Sequence, residues 1–244
     1  MARVTLIASG KGGTGKTTAA AYLGYFLQKK GIRTIVLELD SGLRGLDSIL
    51  GIEAGSIYNL EDILGQPEDV IKAISISQNF AGLSLVTAGT AQTAIEKEDF
   101  LKVISKLSEM CDCLLIDAPA GIGREVRIAA SVADDAVIVT NLSPICARDA
   151  FALSRILEQQ GLTAQRLVIN RLDSKLALKS GFYDLDEFID AVEVQLLGVI
   201  PFQEDLIQFE AQGKPAESST EFTRAFEETA HRYIQSKQTG IPLR

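Results

Sequence analysis

The sequence predicts an α/β protein: a doubly wound, mostly parallel β-sheet with helices on both faces. Two observations carry this. Short apolar runs of β-prone residues recur along the 244-residue chain, and stretches with apolar residues three and four apart separate them. The strand runs are apolar throughout rather than alternating, as in strands covered on both faces. A third observation sets the functional end. The chemically distinctive residues stand where apolar runs stop, and such sheets gather ligands at the carboxyl ends of their strands.

The elements follow in order. Residues 4–8, 34–39, 83–87, 113–117, 136–140, 166–170 and 196–200 read as strands because each is a continuous apolar or β-branched run. Helices are expected at 19–30, with Leu23, Phe26 and Leu27 on one face, and as short pieces at 59–64 and 68–74. Residues 98–110 carry Phe100, Leu101, Ile104 and Leu107 at helical steps, and 124–132 continues the pattern. The helix at 147–160 stops at Gly161, a residue suited to helix ends. Residues 186–194 are helical. The last helix, 221–237, spaces Phe222, Ala225, Phe226, Thr229, Ala230 and Tyr233 by threes and fours, the stripe of a helix docked on its own core. No linker, repeat or low-complexity tract interrupts the chain, so residues 1–244 are expected to form a single domain.

Composition narrows the classes. A net charge of −8 disfavours general affinity for nucleic acid, which rests on basic surface. The three cysteines, Cys111, Cys113 and Cys146, suit a reducing compartment better than a disulfide framework. The Cys111-Asp112-Cys113 spacing is too short for the usual two-residue metal gap, and these cysteines read as core residues. No apolar run reaches the length of roughly 18 residues of a spanning helix, and no signal segment precedes the first strand. His231, the one histidine, lies among charged residues and reads as solvated.

The most informative stretch is Ser9 to Thr18, S-G-K-G-G-T-G-K-T-T. Gly10, four residues, then Gly15, Lys16 and Thr17 complete a phosphate-binding loop between a strand and a helix. Glycines let backbone N–H groups turn inward on phosphate oxygens, and the helix start adds positive potential. The loop as a whole, Gly10, Lys11, Gly12, Gly13, Thr14, Gly15, Lys16, Thr17 and Thr18, is the candidate phosphate site. Lys16 would reach the β- and γ-phosphates, and the Thr17 hydroxyl would ligate Mg²⁺. Asp117 closes an apolar strand, the position from which an acid holds Mg²⁺ directly or through water. Asp40 and Glu38 end the second strand, where a carboxylate can orient an attacking water or a metal-bound water; the plainer alternative for Asp40 is a cap or turn acid. Asn170-Arg171-Leu172-Asp173 follows another strand. It approximates the guanine-reading N-K-x-D pattern, and the motif alone leaves the base open.

The extra lysine in K-G-G-x-G-K-T-T resembles the deviant Walker A loop of the MinD/ParA family of P-loop ATPases, and the MinD branch is the closest match. Residues 38–47, E-L-D-S-G-L-R-G-L-D, look like that branch's D-x-D-x-G-L-R-N-L-D, with Glu38 for the first aspartate and Gly45 for the asparagine. Asp117-Ala-Pro-Ala-Gly-Ile122 resembles the family's second switch, and Gly198-Val-Ile-Pro201 its loop near the base, with Phe202 and Gln203 in place of E-D. The resemblance spans about residues 4–215. It implies a slow, partner-stimulated ATPase that binds ATP and Mg²⁺ and dimerises face to face. Lys11 would reach across the interface to the partner's nucleotide, Asp40 would position the water and Glu38 would assist the metal shell. Asn170, Arg171 and Pro201 would hold the base. The implied output is spatial regulation such as placement of the division site, with a protein regulator as partner. Arg148-Asp149 matches a family stretch and reads equally as a partner contact or as a surface pair opening a helix. An iron–sulfur-linked ATPase, a DNA-partitioning ATPase and a non-hydrolysing scaffold stay open. After Lys237 only Q-T-G-I-P-L-R follows, too short and too weakly basic for an amphipathic lipid anchor. The expected location is the cytoplasm, with any membrane recruitment supplied by a partner.

Overall fold

The computed structural model describes residues 2–41, 45–52, 57–89, 95–173, 181–182 and 184–238. Gly42, Leu43 and Arg44 of the second motif, and the stretch after Gln238, lie outside the described residues. The strands are β1 (Arg3–Ala8), β2 (Thr34–Glu38), β3 (Ile74–Ile76), β4 (Ser84–Val86), β5 (Cys113–Asp117), β6 (Asp135–Thr140), β7 (Gln165–Leu172) and β8 (Leu196–Pro201). They form one sheet in the order β3-β4-β2-β5-β1-β6-β7-β8. Every neighbouring pair is parallel except β3 with β4. Strands β2 to β5 lie on one side of β1 and β6 to β8 on the other, so the chain changes sides beside the phosphate loop that β1 feeds.

Helices cover both faces. On one side lie α3 (Leu60–Leu64), α4 (Lys97–Met110), α5 (Arg124–Ala130), α6 (Pro144–Gln159) and α7 (Leu185–Val192). They bury Ile63, Phe100, Leu107, Leu153 and Phe188 against the outer row of strand side chains. On the other lie α1 (Lys16–Lys29), α2 (Leu46–Ile49), α8 (Leu206–Ala211) and α9 (Glu221–Gln238). Tyr22, Phe26, Phe222, Phe226 and Tyr233 fill that second core. The α1 sequence K-T-T-A-A-A-Y-L-G-Y-F-L is buried almost all round because α9 lies on its outer side. Tyr22 stacks on Phe226 at 5.3 Å between centroids, and its hydroxyl accepts from the Ala216 N–H at 2.9 Å. The α9 stripe read from the sequence is the face that docks: Phe222, Phe226, Ala230 and Tyr233 are all buried. Burying each aromatic is worth about 1.5–3 kcal/mol. The Tyr233 hydroxyl meets that of Thr5.

Several boundaries differ from the sequence reading. The stretch expected as an α-helix at 68–74 is a 3₁₀ helix over Pro67–Ala73, and Ile74 opens the edge strand β3, which the reading missed. Val70 and Ala73 are buried three apart, the spacing of a three-residue turn. Helix α6 starts at Pro144 rather than 147, because Ser143 caps it by accepting from the Cys146 N–H at 3.3 Å and Pro144 suits the first turn. Helix α3 is started by a capping box in which Asn59 and Asp62 satisfy each other's backbone N–H. Helix α8 was not anticipated; none of its residues is fully buried, so it carries no strong apolar stripe. All three cysteines are buried and free, as read. His231 is exposed.

The loop after α8 is held by a backbone approach that only glycine permits. A Cβ on Gly213 would stand 2.2 Å from the Gly51 Cα, and Gly213 has a φ of +59°. Gly213→Ala is therefore expected to destabilise the fold by about 1–3 kcal/mol through overpacking and a strained φ. Urea denaturation of wild type and variant measures it; an unchanged midpoint would contradict the packing described.

Candidate nucleotide site

The carboxyl ends of β1, β2, β5, β6, β7 and β8 point to one edge of the molecule, and the chemistry collects there. Strand β1 ends at Ala8 and the loop turns at once into α1. Gly15 takes a φ of +83°, and a Cβ on it would stand 2.2 Å from the Asn170 amide nitrogen. Both facts require glycine and explain the tight cradle before Lys16. Lys11, Gly12 and Gly13 are exposed at the loop tip, whereas Thr14, Lys16 and Thr18 are buried.

Three other strand ends brace this loop. From β7, Asn170 donates Nδ2–H to the Thr14 carbonyl at 2.9 Å, and Arg171 donates to the Gly13 carbonyl at 3.0 Å. Arg171 holds a φ of +54°, a left-handed conformation costly for arginine, where the chain turns toward the loop. After β6, Asn141 donates to the Asn170 carbonyl at 2.9 Å. After β5, the Gly121 N–H donates to the Ser9 carbonyl at 2.8 Å, tying the second switch stretch to the loop's first residue. Asp149 backs Gly10 so closely that a Cβ there would meet its carbonyl oxygen at 2.3 Å. Arg148 pairs with Asp149 at 3.2 Å on the exposed start of α6. Pro201 ends β8 opposite Leu172 and is half-buried.

The acids converge beside Lys16. Its Nζ donates to Asp117 Oδ1 at 2.7 Å, a pair with side chains 7% and 0% exposed. Burial pushes the Asp117 carboxyl up; Lys16 and the Thr17 hydroxyl pull against it, and Asp40 adds to the push. Glu38 stands directly across from Asp117 in the sheet register. Its Oε1 accepts from the Gly45 and Leu46 N–H groups at 3.1 and 3.3 Å. Burial, opposed by those two bonds and reinforced by Asp117, raises its carboxyl to about 7. Asp40 is half-buried one step beyond.

The donor set suits Mg²⁺. Asp117 Oδ2 and Glu38 Oε2 are buried oxygens without a hydrogen-bond partner, and the Thr17 hydroxyl lies beside Asp117. Hard oxygen ligands from one or two side chains are what Mg²⁺ takes when phosphates and water complete its shell. Among the described residues no three acidic, histidine or cysteine side chains form a protein-only metal cage.

Two contacts went unread in the sequence. Asn141 stands at a strand end, so the rule that picked out Asp117 applied to it as well. Thr18 Oγ1 donates to Glu210 Oε1 at 3.0 Å, which ties its side chain to α8. Burial pushes the half-buried Glu210 carboxyl up, opposed by the Thr18 hydroxyl and by Arg171.

A glycine-rich loop between β1 and α1, a buried lysine and an acid closing the neighbouring strand define a P-loop NTPase. The sequence model of the ParA family, described as "NUBPL iron-transfer P-loop NTPase", matches residues 1–234, and the chain belongs to this family. The septum site-determining protein MinD of Bacillus subtilis is 33% identical over 219 residues, 88% of this chain and 82% of that protein. MinD of Synechocystis is 31% identical over 217 residues, with the same coverage. The MinC:MinD cell division complex of Aquifex aeolicus superposes with a TM-score of 0.88 at 30% identity, covering 100% of this chain and 99% of that one. MinD of Pyrococcus horikoshii, solved with Mg-ADP, gives 0.84 at 27% identity and covers both chains fully.

The Lys16–Asp117 pair yields a stability test. Asp117→Ala in nucleotide-free protein strands a buried ammonium and should cost about 3–5 kcal/mol. The double variant Lys16→Ala/Asp117→Ala should cost less than the sum of the single changes, because each single change includes the stranded partner. Chemical denaturation of the four proteins checks both expectations.

Proposed function

We propose that this protein is an ATP-driven switch of the MinD type, which binds Mg-ATP, dimerises face to face, and serves spatial regulation such as placement of the division site. The observation that carries the reading is the contrast between the two loop lysines. Lys16 is buried against Asp117 at the foot of the cradle, while Lys11 stands exposed at its tip. An exposed cation beside an anion cradle supports a role for Lys11 at a second copy's nucleotide. The relatives named as septum site-determining proteins supply the process.

The residues then divide the work. Lys16 exchanges the Asp117 carboxylate for phosphate oxygens, which frees Asp117. Thr17 and Asp117 would hold Mg²⁺ and Glu38 would assist its shell; when bound, the metal would supply charge neutralisation on the phosphates. Backbone N–H groups from Gly12 to Thr18 cradle the phosphates. Asn170, Arg171 and Pro201 flank the base, and the braces from Asn170 and Arg171 to Thr14 and Gly13 link base and phosphate subsites. Asp40 positions the attacking water. Lys11 of one protomer stabilises the transition state on its partner's nucleotide. Turnover is slow until a protein regulator binds; that the Aquifex aeolicus neighbour is a complex with MinC supports a protein partner.

The iron-transfer role in the family description has little support in the thiols. Cys111, Cys113 and Cys146 are buried, and burial pushes the Cys111 thiol up to about 12, against the thiolate that iron requires. Among the described residues no helix is long and apolar enough to cross a membrane.

Calorimetry should show Mg-ATP binding well and GTP poorly; equal or tighter GTP binding would overturn the adenine assignment and point to Asp173. Lys11→Ala should bind ATP, fail to dimerise and lose roughly 10³–10⁵ in turnover, the worth of a cationic finger in phosphoryl transfer. Asp40→Ala should hold ATP and remain dimeric in size-exclusion chromatography while hydrolysis falls. A Lys11→Ala protein with normal dimerisation and turnover would refute the reading.

A further inference from the structure

Two departures from the family motif, Glu38 for aspartate and Gly45 for asparagine, meet in one contact. Helix α2 begins at Leu46, and the residue before it, Gly45, has no side chain to cap it. The first N–H groups of any helix lack partners within the helix and need an acceptor. Asparagine at such a position brings its own oxygen; glycine does not. Here the acceptor comes from the end of β2. Glu38 Oε1 takes the Gly45 N–H at 3.1 Å and the Leu46 N–H at 3.3 Å. Glu38 is 1% exposed, so the carboxylate has no solvent alternative for that oxygen. Aspartate is one methylene shorter. The shortfall of about 1.5 Å would take both bonds beyond hydrogen-bond range.

We propose that Glu38 is a positioning residue. Where residue 45 offers no side-chain cap, Glu38 anchors the start of α2 through the Gly45 and Leu46 N–H groups, and so holds that helix start against the end of β2, two residues before Asp40. The structural part stands without nucleotide. The effect on Asp40 rests on the ATPase reading above. The geometry distinguishes this role from simple help to the metal. A metal helper needs the negative charge, which aspartate keeps and glutamine loses. The tie needs the reach and one acceptor oxygen, which glutamine keeps and aspartate loses.

The test compares wild type, Glu38→Gln, Glu38→Asp and the double variant Glu38→Asp/Gly45→Asn, all nucleotide-free. Amide hydrogen exchange is read at Leu46, Ile49 and Leu50, the last two bonded within or just after α2 to the Gly45 and Leu46 carbonyls. Glu38→Gln should stay within about twofold of wild type. Glu38→Asp should lose roughly tenfold in protection at these amides, the scale of a lost helix cap. Gly45→Asn in the Glu38→Asp background should restore most of the loss at Ile49 and Leu50; Gly45 has a φ of −123°, which asparagine adopts without strain. Protection unchanged in Glu38→Asp, or lost equally in Glu38→Gln, would overturn the proposal, as would failure of the added asparagine to rescue. In steady-state kinetics Glu38→Asp should lower kcat for ATP while KM stays within about twofold; a normal kcat would overturn the link to Asp40. Should wild type itself hydrolyse no ATP, the ATPase reading fails while the exchange measurements still decide the tie.

Discussion

A buried positive charge at the start of α1 is the constraint on which the rest of this site depends. Lys16 cannot leave the phosphate loop, since Gly15 and the α1 start fix its Cα, and it cannot reach bulk water, since the second core closes around α1. An ammonium in that position needs an anion within contact distance. Without nucleotide the anion is Asp117, delivered by the strand next to β1. The sheet order explains why this works: β5 and β2 lie side by side, so Asp117 and Glu38 stand in register with the loop above them. On the proposed reading, a nucleotide phosphate would compete with Asp117 for the same ammonium, and the carboxylate so released would be available to the metal that accompanies the phosphate.

The parts of this arrangement that were legible in the sequence are local ones. The loop from Gly10 to Thr18 carries its meaning in spacing, and Asp117 is marked by the apolar run it closes. The parallel sheet follows from apolar strands alternating with helices. What escaped was either too short or too distant. Strand β3 has only Ile74, Ser75 and Ile76, fewer residues than a period-two pattern needs to show itself. Helix α8 buries no residue fully, so no stripe betrays it. The bond from Thr18 to Glu210 spans 192 residues, and nothing near either residue predicts the other. Asn141 was within reach of the strand-end rule, yet asparagine after a strand is also an ordinary turn residue, so only its two carbonyl neighbours reveal the brace.

Motif departures were visible as letters but not as physics. Read one at a time, Glu38 weakens the match to a metal-assisting aspartate and Gly45 weakens the match to a capping asparagine. Their relation exists only in three dimensions, where eight residues of chain return to the same carboxylate. A longer acid then stands where the start of α2, with no side chain at residue 45 to cap it, finds an acceptor.

The two lysines of the loop show how one short sequence yields two environments. Lys16 points into the layer between sheet and helix, where its charge is paired. Lys11 sits five residues earlier, on the far side of Gly12 and Gly13, and remains exposed. On the surface nearby, Ile122 of the second switch stretch and Ile145 at the start of α6 are 44% and 54% exposed. Both belong to segments that contact or follow contacts with the loop: Gly121 bonds Ser9, and Asp149 backs Gly10. A cation and apolar side chains left in water at the rim of a phosphate cradle leave the cradle open on that side. A second copy of the same rim would bring an exposed lysine to each cradle and cover the isoleucines at once. The Gly121 N–H bond to the Ser9 carbonyl ties this rim to the loop, and it is the contact through which the proposed pairing would respond to an occupied cradle.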